Sequence, residues 1–261
     1  MAAATPVPID VRLMNLTATV LFILGGAGLL VAAGGWVLRH SLFSLGGITV
    51  HGDVVHNNAV TLRANVAPRV AGNFFTLNLD AARAAFQSVP WVRQAVVRRE
   101  FPNRLRVVLQ EHRAVAYWGE EGESKLVNSF GEVFEANLGD VEQEALPRLA
   151  GPEGESGQVL ALYRALQPLF EPLDLAVDQL VLTGRGSWQA TLDTGAVVEL
   201  GRGTQPELAE RVQRFVQTLT QATAKVGRRP EALVSADLRH GDGYAIRLRG
   251  VSTTGVEPQK K

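Results

Sequence analysis

The sequence has 261 residues, 26 basic and 26 acidic side chains, a formal net charge of zero and a 46% share of hydrophobic residues. This composition excludes an intrinsically disordered chain and gives no overall charge that would attract nucleic acid. The absence of cysteine excludes disulfides, thiolate zinc sites, iron–sulfur clusters and cysteine nucleophiles, and the five histidines show no metal-ligand spacing.

The first predicted element is a membrane helix. No charged residue occurs between Arg12 and Arg39, and the 23 residues from Leu16 to Leu38 are predominantly apolar. At about 1.5 Å per residue this run covers roughly 34 Å, enough to cross the hydrocarbon core of a bilayer. Trp36 lies where an aromatic ring prefers the headgroup boundary. The run therefore predicts a single membrane anchor.

A cleavable signal peptide is the alternative for the same segment. Val31, Ala32 and Ala33 offer small residues after an apolar stretch. However, the apolar run is longer than the roughly 7 to 15 residues of a signal-peptide core. The sequence favours the uncleaved anchor, with residues 1–15 in the cytoplasm and everything from about residue 39 onward outside it.

The next 70 residues predict the order strand, helix, helix, strand, strand. Residues alternate between two faces from Leu105 to Gln110, and Asn57 and Asn58 are candidate N-caps of the first of the two helices. The predicted elements are a strand at Ile48–Val50, a helix after Asn57 or Asn58 with Val60, Val66 and Val70, a helix from Asp80 with Ala81, Ala85 and Val89, and strands at Trp91–Arg99 and Leu105–Tyr117.

The remainder predicts several short strands and two helices. Thr204 and Glu207 form a capping box, after which Leu208, Val212 and Phe215 fall on one helical face. The predicted elements are strands at Leu126–Ser129, Glu132–Glu135, Leu180–Thr183, Trp188–Leu192, Val197–Leu200, Leu233–Leu238 and Tyr244–Leu248, and helices at Gln158–Phe170 and after Thr204.

Catalytic motifs do not emerge from the sequence. The run Gly201 to Gly203 resembles the start of a phosphate loop, but Pro206 replaces the next glycine and no lysine follows. Ser187 lies outside any G-x-S-x-G elbow. The residues alone leave an active site open but do not require one, and we expect no cofactor, no metal, no small-molecule substrate and no nucleic-acid partner.

Charge is unevenly distributed along the chain. Six arginines lie between Arg93 and Arg113, whereas eight acids lie between Glu120 and Glu144. The arginines indicate either a solvated strand face or a surface that docks acidic protein segments, lipid headgroups or cell-wall polymer. The candidate docking residues are Arg93, Arg98, Arg99, Arg104 and Arg106.

Ordered motifs along most of the chain resemble the FtsQ/DivIB family of bacterial cell-division proteins. The matching runs are Asn73–Asp80, Pro90–Val92, Arg98–Leu105, Glu111–Trp118, Leu126–Asn128, Gly131–Phe134, Leu146–Pro152, Arg185–Trp188, Leu200–Arg202 and Asp237–Arg247. Each motif alone is weak, but the ordered set is specific.

The resemblance implies an α+β protein with one transmembrane helix and two periplasmic domains. It implies a POTRA domain of β-α-α-β-β order, then a β-rich domain with a mainly antiparallel sheet and flanking helices. The expected boundaries are a cytoplasmic tail 1–15, a transmembrane helix 16–38, a POTRA domain 43–114, a C-terminal β domain 115–249 and a disordered tail 250–261.

The resemblance also implies the function and the partners. Members of this family are non-enzymatic scaffolds of the divisome in the inner membrane at the division septum, where they bind FtsB and FtsL. The partner docks at the last strand of the C-terminal domain with the help of arginines. Carried to this sequence, the site comprises Arg185, Trp188, Asp237, Arg239, His240, Asp242, Gly243, Tyr244, Ala245, Ile246 and Arg247.

This site is also plausible on physical grounds. An unpaired strand edge can accept an extended segment of another protein by main-chain pairing, and arginines favour acidic side chains on that segment. The alternative is a final hairpin whose arginines only prevent aggregation. A periplasmic enzyme and a POTRA component of an outer-membrane secretion system are the alternatives from other classes.

Overall fold

A computed structural model describes residues 9–40, 43–52, 54–70, 72–141, 146–241 and 243–251. The predicted disordered tail from residue 252 and the first eight residues of the predicted cytoplasmic tail lie outside this range. The chain divides into two compact units, with the boundary between Glu111 and His112.

The apolar run forms a single long helix. Helix α1 spans Ile9–Arg39, 31 residues, and continues without interruption through the predicted segment Leu16–Leu38. The stretch Ile9–Val37 has a mean hydropathy of 2.2 and is long and apolar enough to cross a membrane. Leucine, valine and isoleucine side chains are exposed along it, as a lipid-facing helix requires.

The first unit contains the predicted β-α-α-β-β order, which is confirmed. The elements are β1 Gly47–Gly52, α2 Ala59–Val66 with a 3-10 turn at Ala67–Arg69, α3 Leu79–Gln87, β2 Val92–Glu100 and β3 Arg104–Glu111. Strand β1 pairs in parallel with β3, and β3 pairs antiparallel with β2, so β3 is the central strand.

Helices α2 and α3 pack on one core with the central strand. Of the valines that the sequence assigns to the first of these helices, Val66 and Val70 are buried, whereas Val60 is 77% exposed. The buried side chains of α3 are Ala82, Ala85 and Phe86, and the helix ends at Gln87, before Val89. Asn78 caps α3 by accepting bonds from the N–H groups of residues 80 and 81, at 2.9 and 3.1 Å.

The sequence predicts that Trp91, in a strand after Pro90, packs against the helix that carries Val66 and Val70, and its setting in the structure differs. The residue precedes β2, and its φ of 69° lies in the left-handed region. Its ring is 3% exposed, but lies outside the apolar cluster that contains Val66 and Val70. The indole instead stacks on the imidazole of His56, with ring centroids 3.8 Å apart and planes at 7°.

A buried carboxylate fixes the loop that carries His56. Glu111 Oε2 accepts bonds from the N–H groups of Val55 and His56, both at 3.0 Å, and lies 3.1 Å from His56 Nδ1. Glu111 Oε1 accepts from Asn57 N at 3.0 Å and Nδ2 at 2.9 Å. Burial alone would raise the pKa of Glu111, but the bonds from His56 and Asn57 outweigh it and the pKa lies below its ordinary value.

The predicted strand Leu105–Tyr117 is two strands in two different sheets. Strand β3 ends at Glu111, and β4, Ala114–Trp118, pairs with strands of the second unit. Apolar and polar residues alternate in β3, whereas β4 is a continuous apolar run. Both patterns fit an extended backbone and neither identifies the neighbouring strand, so the pattern does not tell which sheet each strand joins.

The second unit is a mixed sheet with two helices. After β4 its elements are β5 Lys125–Asn128, β6 Val133–Glu135, β7 Arg148–Ala150, α4 Ser156–Phe170, β8 Val177–Leu182, β9 Trp188–Leu192, β10 Val197–Gly201, α5 Gln205–Ala224, β11 Leu233–Asp237 and β12 Ala245–Leu248. In the described part of the chain nine strands have the order β12-β11-β10-β9-β8-β7-β4-β5-β6. Five of the eight pairings are antiparallel; β10 with β11, β4 with β7 and β7 with β8 are parallel.

Helix α5 begins at the predicted capping box. Glu207 Oε2 accepts a bond from Thr204 N at 2.8 Å, while the Thr204 side chain caps the backbone of residue 207. Leu208, Val212 and Phe215 are fully buried in the same cluster as residues of α4 and of the sheet. The helix therefore holds one face of the sheet close to the chain's last strands.

Candidate partner-binding edge

Strand β12 is the terminal strand of the sheet. Within the described residues it pairs with β11 alone, in antiparallel register, with Asp237 opposite Ala245 and Leu233 opposite Leu248. The other side of β12 has no neighbouring strand in this part of the structure. A strand in this position presents a row of N–H and C=O groups that an added strand can pair with.

Alternating side chains anchor β12 to the core. Ile246 is half-buried and packs on the main apolar cluster, and Leu248 is 8% exposed. Ala245 and Arg247 are exposed on the other face. Burial of one face holds the strand in place, so its free edge is a fixed template rather than a loose tail.

Tyr244 secures the start of the strand. Its ring meets Phe215 of α5 edge-on, with centroids 4.9 Å apart, and its hydroxyl lies 2.8 Å from Thr218 Oγ1. An edge-to-face aromatic pair adds about 0.5 to 1.5 kcal/mol beyond area burial. Tyr244 therefore supports the edge from the side of α5.

An ion pair fixes Arg239 after β11. Asp237 accepts bonds from Arg239 N, Nε and Nη2 at 3.0, 2.9 and 2.6 Å. The bonds donated by the Arg239 side chain lower the pKa of Asp237 to about 2. The carboxylate is thus charged throughout the neutral range and orients the guanidinium.

Four arginines line one concave surface beside this ion pair, and the pocket that this surface forms has a volume of about 920 Å³. Besides Arg239 they are Arg185 in the turn after β8, Arg202 after β10 and Arg211 of α5. Arg211 Nη1 donates to the carbonyl of Leu200 and, at 3.3 Å, to that of Arg202. We call this set the proximal arginine cluster, since it lies at the end of the sheet where β12 begins.

Close packing at Gly201 builds this cluster. Gly201 has a φ of 79°, and a Cβ there would lie 2.9 Å from Arg239 Cγ. Sequence reasoning identified Arg185 and Arg239 but missed Arg202 and Arg211. The signal for Arg211 was its position one helical turn after the capping box, near the end of the strand that precedes α5.

Trp188 does not belong to the surface of the site. It is 3% exposed, because the first residue of β9 points to the same buried face as Ala190 and Leu192. Trp188 can therefore take part in partner binding only by supporting the sheet from its buried face, and its predicted role in binding stays a prediction. His240 and Gly243 are exposed, and Asp242 lies outside the described residues.

The predicted docking arginines of the first unit differ in whether hydrogen bonds hold their side chains. Arg99 donates to the carbonyls of Phe74 and Leu77 at 2.7 and 2.6 Å and so holds the loop before α3. Arg93 donates to Gln110 at 3.2 Å, and Arg106 pairs with Glu100 at 2.5 Å. Arg98 and Arg104 of the predicted docking surface are also exposed.

Comparison with known proteins matches both units to one family. Residues 43–112 match the POTRA domain of FtsQ type, and residues 116–239 match the C-terminal region of the cell division protein FtsQ/DivIB. The match to this C-terminal region ends at Arg239, before β12.

Relatives match over nearly the whole chain. Cell division protein FtsQ of Thiomonas arsenitoxydans is 38% identical over 256 residues, 97% of this chain and 93% of the relative. The FtsQ proteins of Burkholderia pseudomallei and Neisseria meningitidis are 41% and 29% identical, covering 93% and 84% of this chain and 94% and 89% of the relatives. The chain therefore belongs to the FtsQ/DivIB family of bacterial cell-division proteins.

Proposed function

We propose that the protein is a non-enzymatic, membrane-anchored scaffold of the divisome that binds FtsB and FtsL through the free edge of β12. The observation that carries this proposal is the position of β12 at the end of a nine-stranded sheet, with one side unpaired among the described residues. In this proposal residues 43–114 form the POTRA domain, and residues 115–249 form the domain that binds the partners.

Main-chain pairing supplies the affinity in this mode of binding. An extended segment of the partner adds a strand beside β12, and alternate side chains of that segment face the two sides of the sheet. Ile246, Leu248 and Tyr244 are already packed, so β12 loses little conformational entropy when the partner binds.

The proximal arginine cluster adds charge recognition. Asp237 neutralises part of Arg239, while the exposed Arg185 and Arg202 contribute further positive charge to the same concave surface. A carboxylate of the partner fits here, because guanidinium groups bind carboxylates through paired hydrogen bonds. Removing one desolvated charge-assisted bond costs about 1.5 to 3 kcal/mol, whereas an exposed pair is worth under about 1 kcal/mol.

Charge reversal tests the arginines. We expect Arg185→Glu and Arg239→Glu in the full chain to weaken binding of purified FtsB and FtsL periplasmic segments about tenfold or more at low salt, and less at high salt. Arg113→Glu, an exposed arginine outside the cluster, is the matched control. Equal affinity of all three variants and the parent would place the acid-binding surface elsewhere.

We further propose that residues 1–15 are cytoplasmic and that residues from about 39 onward are periplasmic, at the division septum. The support is the single apolar helix α1 with the large folded part after it. A reporter that is active only in the periplasm should be active when fused after Leu248. Activity of a cytoplasmic reporter there would contradict this topology, and a mature chain starting at Gly34 would show that the apolar run is a cleaved signal peptide.

The arginines of the first unit have a separate proposed role. Arg98 lies opposite Arg106, two residues along the strands from the exposed apolar pair Val96 and Val108, and the exposed Arg104 lies further along β3, opposite Glu100. A basic surface with apolar neighbours suits a second protein contact that assists recruitment to the division site.

A further inference from the structure

A second arginine cluster lies at the other end of β12. A shallow pocket with a volume of about 490 Å³ is lined by Arg228, Arg229 and Arg249, and Glu231 is the acidic residue in its lining. We call these three arginines the distal arginine cluster.

Three chain segments meet to build this cluster. Helix α5 ends at Ala224, and Gly227, with a φ of 65°, turns the chain toward β11. Arg228 Nη2 donates to the carbonyl of Gly250 at 3.2 Å, and Arg249 N donates to the carbonyl of Ala232 at 2.8 Å. These bonds hold the end of β12 against the start of β11, so the arginines are presented from fixed backbone.

The register of the last two strands places the two clusters at opposite ends of the free edge. Arg239 follows Asp237, which lies opposite the first residue of β12, whereas Arg249 follows Leu248, the last residue of β12. The strand has four residues. At about 3.3 Å per residue the edge between the clusters is only about 10 to 13 Å long.

We propose that the segment that adds to β12 carries acidic side chains on both sides of a stretch of about four pairing residues, and that the second acidic group binds the distal arginine cluster. This inference rests on the proposed function. It adds a second site for an acidic side chain, so that the free edge of β12 has one such site at each end. The pattern is the same for parallel and antiparallel addition, because both ends are basic.

Charge complementarity favours this occupant over the chain's own continuation. The cluster has three arginines against one glutamate, so its net charge is positive. The sequence from residue 252 to 261 has Glu257 against Lys260 and Lys261, which does not complement a basic surface. A partner segment that pairs with β12 holds its acidic side chain close to the cluster. This second contact is therefore intramolecular within the complex and is favoured by a high effective concentration.

The test is charge neutralisation in the full chain, reconstituted in nanodiscs, with purified FtsB and FtsL periplasmic segments as the probe. We expect the triple variant Arg228→Gln, Arg229→Gln, Arg249→Gln to weaken binding about tenfold at 0.1 M salt and less than about threefold at 0.5 M. The control is Arg83→Gln, Arg113→Gln, Arg164→Gln, three exposed arginines outside the cluster that give the same change in net charge.

Two outcomes separate this inference from the proposed function. If Ile246→Pro abolishes binding while the triple variant binds like its control, the edge is used and the distal cluster is not. If a folded Ile246→Pro variant binds like the parent, the proposed function itself is wrong.

In-cell photocrosslinking identifies the occupant directly. With p-benzoylphenylalanine at Glu231, we expect a covalent product with a partner segment at or next to one of its acidic residues. A product with phospholipid, or with a second copy of this chain, overturns the inference and assigns the cluster to the membrane or to self-association.

Discussion

Replacing Trp91 by Ala should destabilise the first unit by about 3 to 5 kcal/mol, because truncating a buried tryptophan removes apolar area and leaves a cavity. Trp91 is 3% exposed and stacks on His56, which the Glu111 carboxylate also holds. Loss of the indole therefore opens the Glu111 hydrogen bonds to water as well. Hydrogen exchange on the full chain measures the effect, and amides of β2 and β3 should exchange more than about a hundredfold faster.

Two further substitutions separate the loss of stability caused by removing the ring from the loss caused by backbone strain at this position. Trp91→Phe keeps an aromatic ring for His56 and should recover much of the stability. Trp91→Gly deletes the ring but tolerates the φ of 69°, so it should be more stable than the alanine variant by roughly 1 kcal/mol. Amides of β8 to β10 in the second unit are the internal reference. Unchanged exchange in Trp91→Ala would contradict a stabilising role for the ring.

The elements that the sequence predicted well are those with strong local signals. Thr204 and Glu207 define the start of α5, and Leu208, Val212 and Phe215 are on its buried face as predicted. Capping and helical periodicity act within a few residues, so a single sequence contains the whole signal.

The elements that it missed depend on distant partners. Strand β7 has three residues, too few for a periodic pattern, and is fixed by parallel pairing with β4 and β8 on its two sides. Strands β3 and β4 both have an extended backbone but belong to different sheets. The setting of Trp91 depends on His56, 35 positions earlier in the chain.

The same distinction applies to the candidate site. The position of β12 at an edge follows from the sheet order, which the local pattern does not contain. The proximal arginine cluster joins a turn at Arg185, a strand end at Arg202, a helix at Arg211 and the residue Arg239. Only parallel pairing of β10 with β11 brings the last of these beside the others, because it aligns the ends of those two strands.

A proline in β12 should abolish binding of FtsB and FtsL, since proline has no N–H to donate and fits poorly in a paired strand. Successive N–H groups of a strand point to opposite sides, so Ala245→Pro and Ile246→Pro affect different sides of β12. Leu238 N donates to Glu199 of β10, so the preceding residue Asp237 faces β12 and its partner Ala245 faces β11, whereas the N–H of Ile246 points to the free edge. A folded Ile246→Pro variant should therefore lose at least about thirtyfold in affinity.

Matched variants and the salt dependence identify the cause of this loss. Ala245→Ser and Ile246→Val keep the N–H and should bind within about threefold of the parent, because conservative changes leave main-chain pairing intact. Neutral main-chain pairing is only weakly screened, so the proline variant should fail at 0.5 M salt as well, where the charge-reversal variants recover. If the folded proline variants and Arg239→Glu all bind like the parent, the edge of β12 is not the site, and the exposed arginines of the first unit, Arg98 and Arg104, become the better candidates.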